Sequence, residues 1–333
     1  MPIMPTILDH QGRNVYIMIW EELRMSIINL FRSKEDETLA AAIPLAPLLK
    51  DFSIEVMPRT AEKVEDFQGI LPARTRVYIA HLEGTPFEDM LKTAKRLSAD
   101  GFAVMPHFPA RIIENRATLE EWIRRYQDEA GVEQALVLAG GVSTPVGEFS
   151  DSMQLLETGL FDKYGFKRLH VAGHPEGNPD IDEKGVTTNV DSALRWKQEF
   201  STRTDAEMAI ATQFAFAAQP VIDWAERIRA AGITLPVHVG VAGPAKLQTL
   251  IKFAIACGVG PSLKVLQKRA KDVTKLVQPY EPTEVLSDLA TYVQQNPDGP
   301  IQGVHIFPLG GIGKSAEYAG EHGEHDAAQA ATS

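Results

Sequence analysis

The sequence predicts a (β/α)8 barrel: an α/β fold in which a parallel sheet closes on itself, here with an N-terminal helical extension. Three observations predict it. From residue 51 onward, short runs rich in β-branched and apolar residues alternate with stretches of helical period. Eight such alternations can be counted, which fits a closed barrel better than an open sheet. Several of the runs also end in Gly, Pro, His or Asn, the residue types expected where a barrel's loops build a site.

Taken in order, the strands are read at 52–57, 76–81, 102–107, 135–139, 168–172, 208–214, 237–241 and 304–308. Between them, 86–99, 119–130, 220–231 and 245–257 place apolar residues three to four apart and read as amphipathic helices. The barrel domain is therefore assigned to residues 51–310. Residues 1–50 are an extension with helical readings at 19–32 and 35–49, expected to form a covering layer or a contact with a second copy of the chain. The insert after Gly258, with Lys264, Lys268, Arg269, Lys271 and Lys275 among apolar residues, reads as a solvated helix face. The stretch 311–333, rich in Ala, Gly and Glu, reads as a flexible tail whose His322 and His325 are not preorganised for metal.

With 333 residues, 44% hydrophobic and 23% charged, the chain has the composition of a globular protein. A net charge of −11 argues against a general affinity for nucleic acid, although it leaves room for a local anion site. No apolar run reaches the roughly 18 residues that span a bilayer. Asp9, His10 and Arg13 near the start do not form a signal peptide, so no membrane partner and a cytoplasmic location are expected. The lone Cys257 has no second cysteine to pair with and reads as a core thiol.

Glu55 places a carboxylate in an apolar strand, at the end where a barrel reaches its catalytic face. If it points inward, burial should raise its pKa toward working pH and make it a general acid; the alternative is a structural pair with a cation such as Arg59. His81, His107 and His174 follow three different strands and could meet at one mouth. Without an accompanying carboxylate motif they suit hydrogen bonding to a ligand better than a metal site. Gln213 ends the sixth strand with an amide that donates and accepts, matching a pterin or pyrimidine edge, or else a neighbouring backbone group. Gly173 and Gly177 flank His174 and allow a ligand close to the backbone.

These segments together resemble the methylenetetrahydrofolate reductase family over about residues 51–310. Ile54-Glu-Val-Met-Pro-Arg-Thr60 is similar to the family's Glu-Phe-Phe-Pro-Pro-Arg, whose Glu assists opening of the folate ring, and this implies a catalytic Glu55. Met105-Pro-His107 is similar to a Pro-His strand end at the flavin, and Ala172-Gly-His-Pro-Glu176 to an Ala-Tyr-Pro-Glu loop. The resemblance thereby places His107, Ala172, His174 and, further along the same loop, Asn178 at the cofactor. Ala211-Thr-Gln-Phe214 resembles Ile-Thr-Gln-Phe, whose Gln holds the pterin, and Leu194-Arg-Trp-Lys197 resembles a segment that supplies Lys197 for cofactor phosphates.

The chain departs from the family where flavin-dependent members carry Arg-Gly-Asp: Ala139-Gly140-Gly141 stands there, so Ala139 and Gly141 occupy the positions of both charged flavin contacts. Leu247 lies nearest the place of a Phe that packs on the substrate tail or nicotinamide. The implied reaction is hydride transfer from NAD(P)H to 5,10-methylenetetrahydrofolate, giving 5-methyltetrahydrofolate, or the reverse. FAD as a relay and direct transfer both stay open, since the family has a flavin-independent branch. Two other readings stay open as well: methyl transfer between folate and a corrinoid or thiol, and a non-catalytic folate-binding partner of a reductase.

Overall fold

The computed structural model describes residues 44–183, 185–256, 266 and 279–323. Eight strands pair in sequence order, all parallel, and the last closes on the first. They are β1 (Ser53–Val56), β2 (Arg76–Ile79), β3 (Ala103–Pro109), β4 (Gln134–Leu138), β5 (Arg168–Gly173), β6 (Glu207–Ala215), β7 (Val237–Ala242) and β8 (Ile301–Phe307). The closed barrel predicted from the alternation is thus the observed fold.

Side chains alternate across the pleat, so each strand serves two cores. Ile54, Val77, Val137, Leu169, Val239 and Val304 are fully buried under the helical layer, each contributing about 1.5–3 kcal/mol by leaving water. The opposite face fills the barrel, where Tyr78, Met105, Leu136 and Ala211 pack together with Leu138.

The helices among the described residues are α1 (Ala46–Leu49), α2 (Pro58–Ala61), α3 (Phe87–Ala99), α4 (Arg116–Ala130), α5 (Ser152–Glu157), α6 (Leu160–Lys163), α7 (Thr188–Phe200), α8 (Ala218–Ala230), α9 (Leu247–Ala256), α10 (Thr283–Gln295) and α11 (Ile312–His322). Side-chain caps fix where several of them start. Asn115 Oδ1 accepts the Thr118 N–H at 3.0 Å and opens α4 one turn before the apolar period begins at Leu119. Gly131, with φ 61°, ends that helix in the left-handed region. Asp151 and Gln154 form a capping box at α5, which anchors the long loop after β4.

The described part of the stretch read as a flexible tail is ordered instead: Ile312, Ala316 and Ala319 recur at helical spacing and are buried in α11. That periodicity was hidden by a composition typical of mobile ends. Helix α1 packs against β8, α10 and α11. Among the described residues no helix is long and apolar enough to cross a membrane. Cys257, the lysines and arginine of the insert, His325 and the helical readings before residue 44 lie outside the described residues.

Candidate active site

The pleat of β1 turns Ser53 and Glu55 into the barrel, with Glu55 nearer the C-terminal mouth. Its carboxylate is 19% exposed, and Oε2 lies 3.3 Å from His107 Nε2 of β3 and 3.8 Å from His305 Nε2 of β8. The His107 contact is within attraction range but off the line of a well-formed hydrogen bond. Burial alone would push the Glu55 carboxyl up; the nearness of the His107 and His305 imidazoles, which favours the carboxylate, outweighs it and holds the group down at about 2. The expectation of a raised pKa is therefore corrected. An apolar strand context hides two imidazoles that arrive from β3 and β8. Arg59 is exposed and is not the partner of this carboxylate.

Below Glu55 the barrel interior is polar. Ser53 Oγ and His305 Nδ1 are 2.9 Å apart, and Tyr78 Oη and His170 Nδ1 are 2.5 Å apart. The Tyr78 ring lies 4.2 Å from the His305 ring, and the rings of His170 and His238 are 4.9 Å apart. Burial disfavours the charged form of these imidazoles: His170 falls well below the usual histidine range, His238 falls to about 4, and His305 is lowered although Glu55 opposes the shift. Tyr78 is raised by the same desolvation. Sequence reasoning missed Ser53, Tyr78, His170, His238 and His305. The available signal was a polar residue in the inward half of the pleat on β1, β2, β5, β7 and β8.

The positions predicted for the cofactor separate into two groups. His174 and Lys197 are brought together: burial, then the charge of Lys197, pushes His174 down to about 4, while burial lowers the Lys197 amine to about 8 against the pull of Asp151. Ala172 faces the barrel at the end of β5 and is half-buried. Two of the others make local hydrogen bonds. Ala139 O accepts the Arg111 N–H at 2.9 Å, and the Arg111 guanidinium holds the same loop through Val142 O and Ser150 O. Gly141 is exposed. Asn178 Oδ1 accepts the Asp180 N–H in its own turn. A flavin diphosphate does not fit this set: its one cation, Lys197, is 6% exposed, and Ala139 and Gly141 offer no charge.

Gln213 sits at an irregularity in the pairing of β6 with β7, between Ala211 and Phe214. Its Oε1 accepts the Phe214 N–H at 3.1 Å, the backbone alternative foreseen for it, and its Nε2 has no partner among the described residues. Leu247 opens α9 and is buried with Phe214, Phe216, Leu250 and Tyr280, so it contributes packing to the wall rather than an open contact surface. His81 lies within electrostatic range of His107. It stacks on Trp122 at 5.0 Å and bonds Thr85 O at 3.0 Å, beside α4. Among the described residues no three His, Cys, Asp or Glu side chains are grouped to hold a metal ion.

Fold and site together define a parallel (β/α)8 barrel with a carboxylate held between two histidines at its mouth. No known family profile matches the chain. Among solved structures it is similar to an uncharacterized protein from Clostridium thermocellum that binds two copies of 5-methyl-5,6,7,8-tetrahydrofolic acid. The identity is 12% and the TM-score 0.50, over 82% of this chain and 94% of that one. It is also similar to the carboxyl transferase domain of Rhizobium etli pyruvate carboxylase with pyruvate, at 9% identity and TM-score 0.35, over 79% of this chain and 51% of that one. At 12% identity the likeness to the Clostridium thermocellum protein bears on the barrel alone; the chemistry has to be argued from the site.

Proposed function

We propose that this chain is a folate-binding barrel of one-carbon metabolism that interconverts 5,10-methylenetetrahydrofolate and 5-methyltetrahydrofolate. The observation that carries the reading is the Glu55–His107 contact at the barrel mouth, in the place where a catalytic acid/base is expected. It is supported by the Clostridium thermocellum barrel, which binds 5-methyltetrahydrofolate.

With Glu55 ionised, the proton for chemistry belongs to the carboxylate–imidazole pair rather than to Glu55 alone. In the reductive direction the pair gives one proton to the folate nitrogen as its bond to the methylene carbon breaks, leaving an iminium at the other nitrogen. A reduced nicotinamide supplies the hydride that this carbon accepts. In the oxidative direction the same pair takes the proton back as the ring closes. Gln213 Nε2 is the group that orients the pterin, and the half-buried mouth limits the water that competes for the iminium. Because the Ala139–Gly141 segment and Lys197 do not suit a flavin diphosphate, hydride passes directly from nicotinamide to folate in this reading.

The test is turnover of methylenetetrahydrofolate with NADH or NADPH, alongside calorimetric binding of 5-methyltetrahydrofolate. Binding with turnover supports the reaction. Binding without turnover leaves the second reading, a folate-binding partner protein, which the missing Arg-Gly-Asp charges favour. Absence of binding sinks both.

A further inference from the structure

Ser53 and His305 are 0% and 2% exposed, too deep to touch a ligand, yet contacts of 2.9 Å and 3.8 Å connect them to the Glu55 carboxylate. Ser53 Oγ lies 2.9 Å from His305 Nδ1 and 3.5 Å from Val304 O, and it also hydrogen-bonds the Tyr78 hydroxyl. The 2.9 Å contact ties down Nδ1 and leaves the other ring nitrogen, Nε2, 3.8 Å from Glu55 Oε2. The ring is also held in orientation, with Tyr78 4.2 Å from one side and Phe307 edge-on at 4.7 Å.

The Tyr78 hydroxyl also hydrogen-bonds His170 Nδ1. The charged and titratable groups around this chain are Arg76 and Tyr78 on β2, His107 on β3, Arg168 and His170 on β5, and His238 on β7. Of these, His107 is the other imidazole that reaches Glu55.

We propose that His305, held in place by Ser53, is a positioning residue that orients the Glu55 carboxylate at the mouth, leaving His107 as the partner that exchanges the proton. The inference rests on Glu55 being the reacting carboxylate, but its test does not depend on turnover. His305→Phe keeps a ring against Tyr78 and removes both ring nitrogens; His305→Gln restores a polar side chain; Ser53→Ala removes the hydrogen bond to Nδ1 with the loss of one atom.

The readout is the carboxyl infrared band of Glu55 followed against pH, assigned by its loss in Glu55→Gln. The Glu55 midpoint is expected to rise by at least about one pH unit in His305→Phe, less in Ser53→Ala, and to return near wild type in His305→Gln. An unchanged midpoint in His305→Phe overturns the proposal. Should that variant not fold, an unchanged midpoint in Ser53→Ala overturns it equally. A shifted midpoint in a protein that neither binds nor converts folate would remove the proposed function and leave the positioning role standing. Folate turnover with unshifted midpoints would do the reverse.

Discussion

His107 Nε2 stands 3.3 Å from Glu55 Oε2, although the two residues come from β3 and β1, with Tyr78 of β2 between their strands. Only a closed, staggered barrel brings side chains of non-adjacent strands together in this way. The pair is where proton transfer is expected. Glu55→Gln keeps the shape and removes the base, and should lower turnover by about 10²–10⁴-fold while changing folate affinity only a few-fold. Steady-state kinetics beside calorimetry would check the split.

Tyr78→Phe should act on stability instead. The hydroxyl is the hydrogen-bond partner of His170 Nδ1, and both residues are fully buried. Its removal leaves an unsatisfied imidazole nitrogen and should cost about 1–3 kcal/mol in urea unfolding.

The buried histidines make stability depend on pH. His81, His174 and His238 fall from an ordinary 6.5 to about 4 in the folded chain, chiefly through burial. Between those values the unfolded chain binds protons that the folded one refuses. The stability is therefore fully present above 6.5 and declines as pH falls toward 4, by up to about 1.4 kcal/mol per pH unit for each group. Glu55 has its own window: its contribution is present above 4.5 and is lost as pH falls toward 2. Urea midpoints measured from pH 7.5 to pH 4.5 should fall steadily, and a flat profile would show that the histidines are not buried as neutral rings.

Gly240→Ala should disturb Gln213, the residue proposed to orient the pterin, without touching a ligand. A Cβ there would meet Thr212 O at 2.5 Å and the Gln213 carbonyl at 2.7 Å, both backbone atoms that cannot swing away. The variant should lose about 1–3 kcal/mol of stability and bind 5-methyltetrahydrofolate roughly ten-fold more weakly than wild type. Unchanged affinity would separate Gln213 from the binding site.

The barrel was legible because hydrophobic period and strand-end residues are local signals: all eight strands lie within a few residues of where the pattern puts them. Glu55 was legible as an anomaly, a carboxylate in an apolar strand. Its electrostatics were not, since they depend on His107 and His305, which only barrel closure delivers. His305 itself reads as one more residue in Val-His-Ile-Phe until the pleat assigns it inward. Asn178 and Ala139 were chosen on a loop pattern alone, which says nothing of the local bonds they make to Asp180 N and Arg111 N. Helix α11 was lost to composition, where spacing was the better guide.

The most direct measurement is a single turnover with methylenetetrahydrofolate and nicotinamide carrying deuterium at the transferred position, followed by mass analysis of the product. Direct hydride transfer at the Glu55–His107 mouth predicts 5-methyltetrahydrofolate with the deuterium retained in its methyl group. Product that has lost the label to water would contradict direct transfer, and no product at all would contradict the assigned reaction.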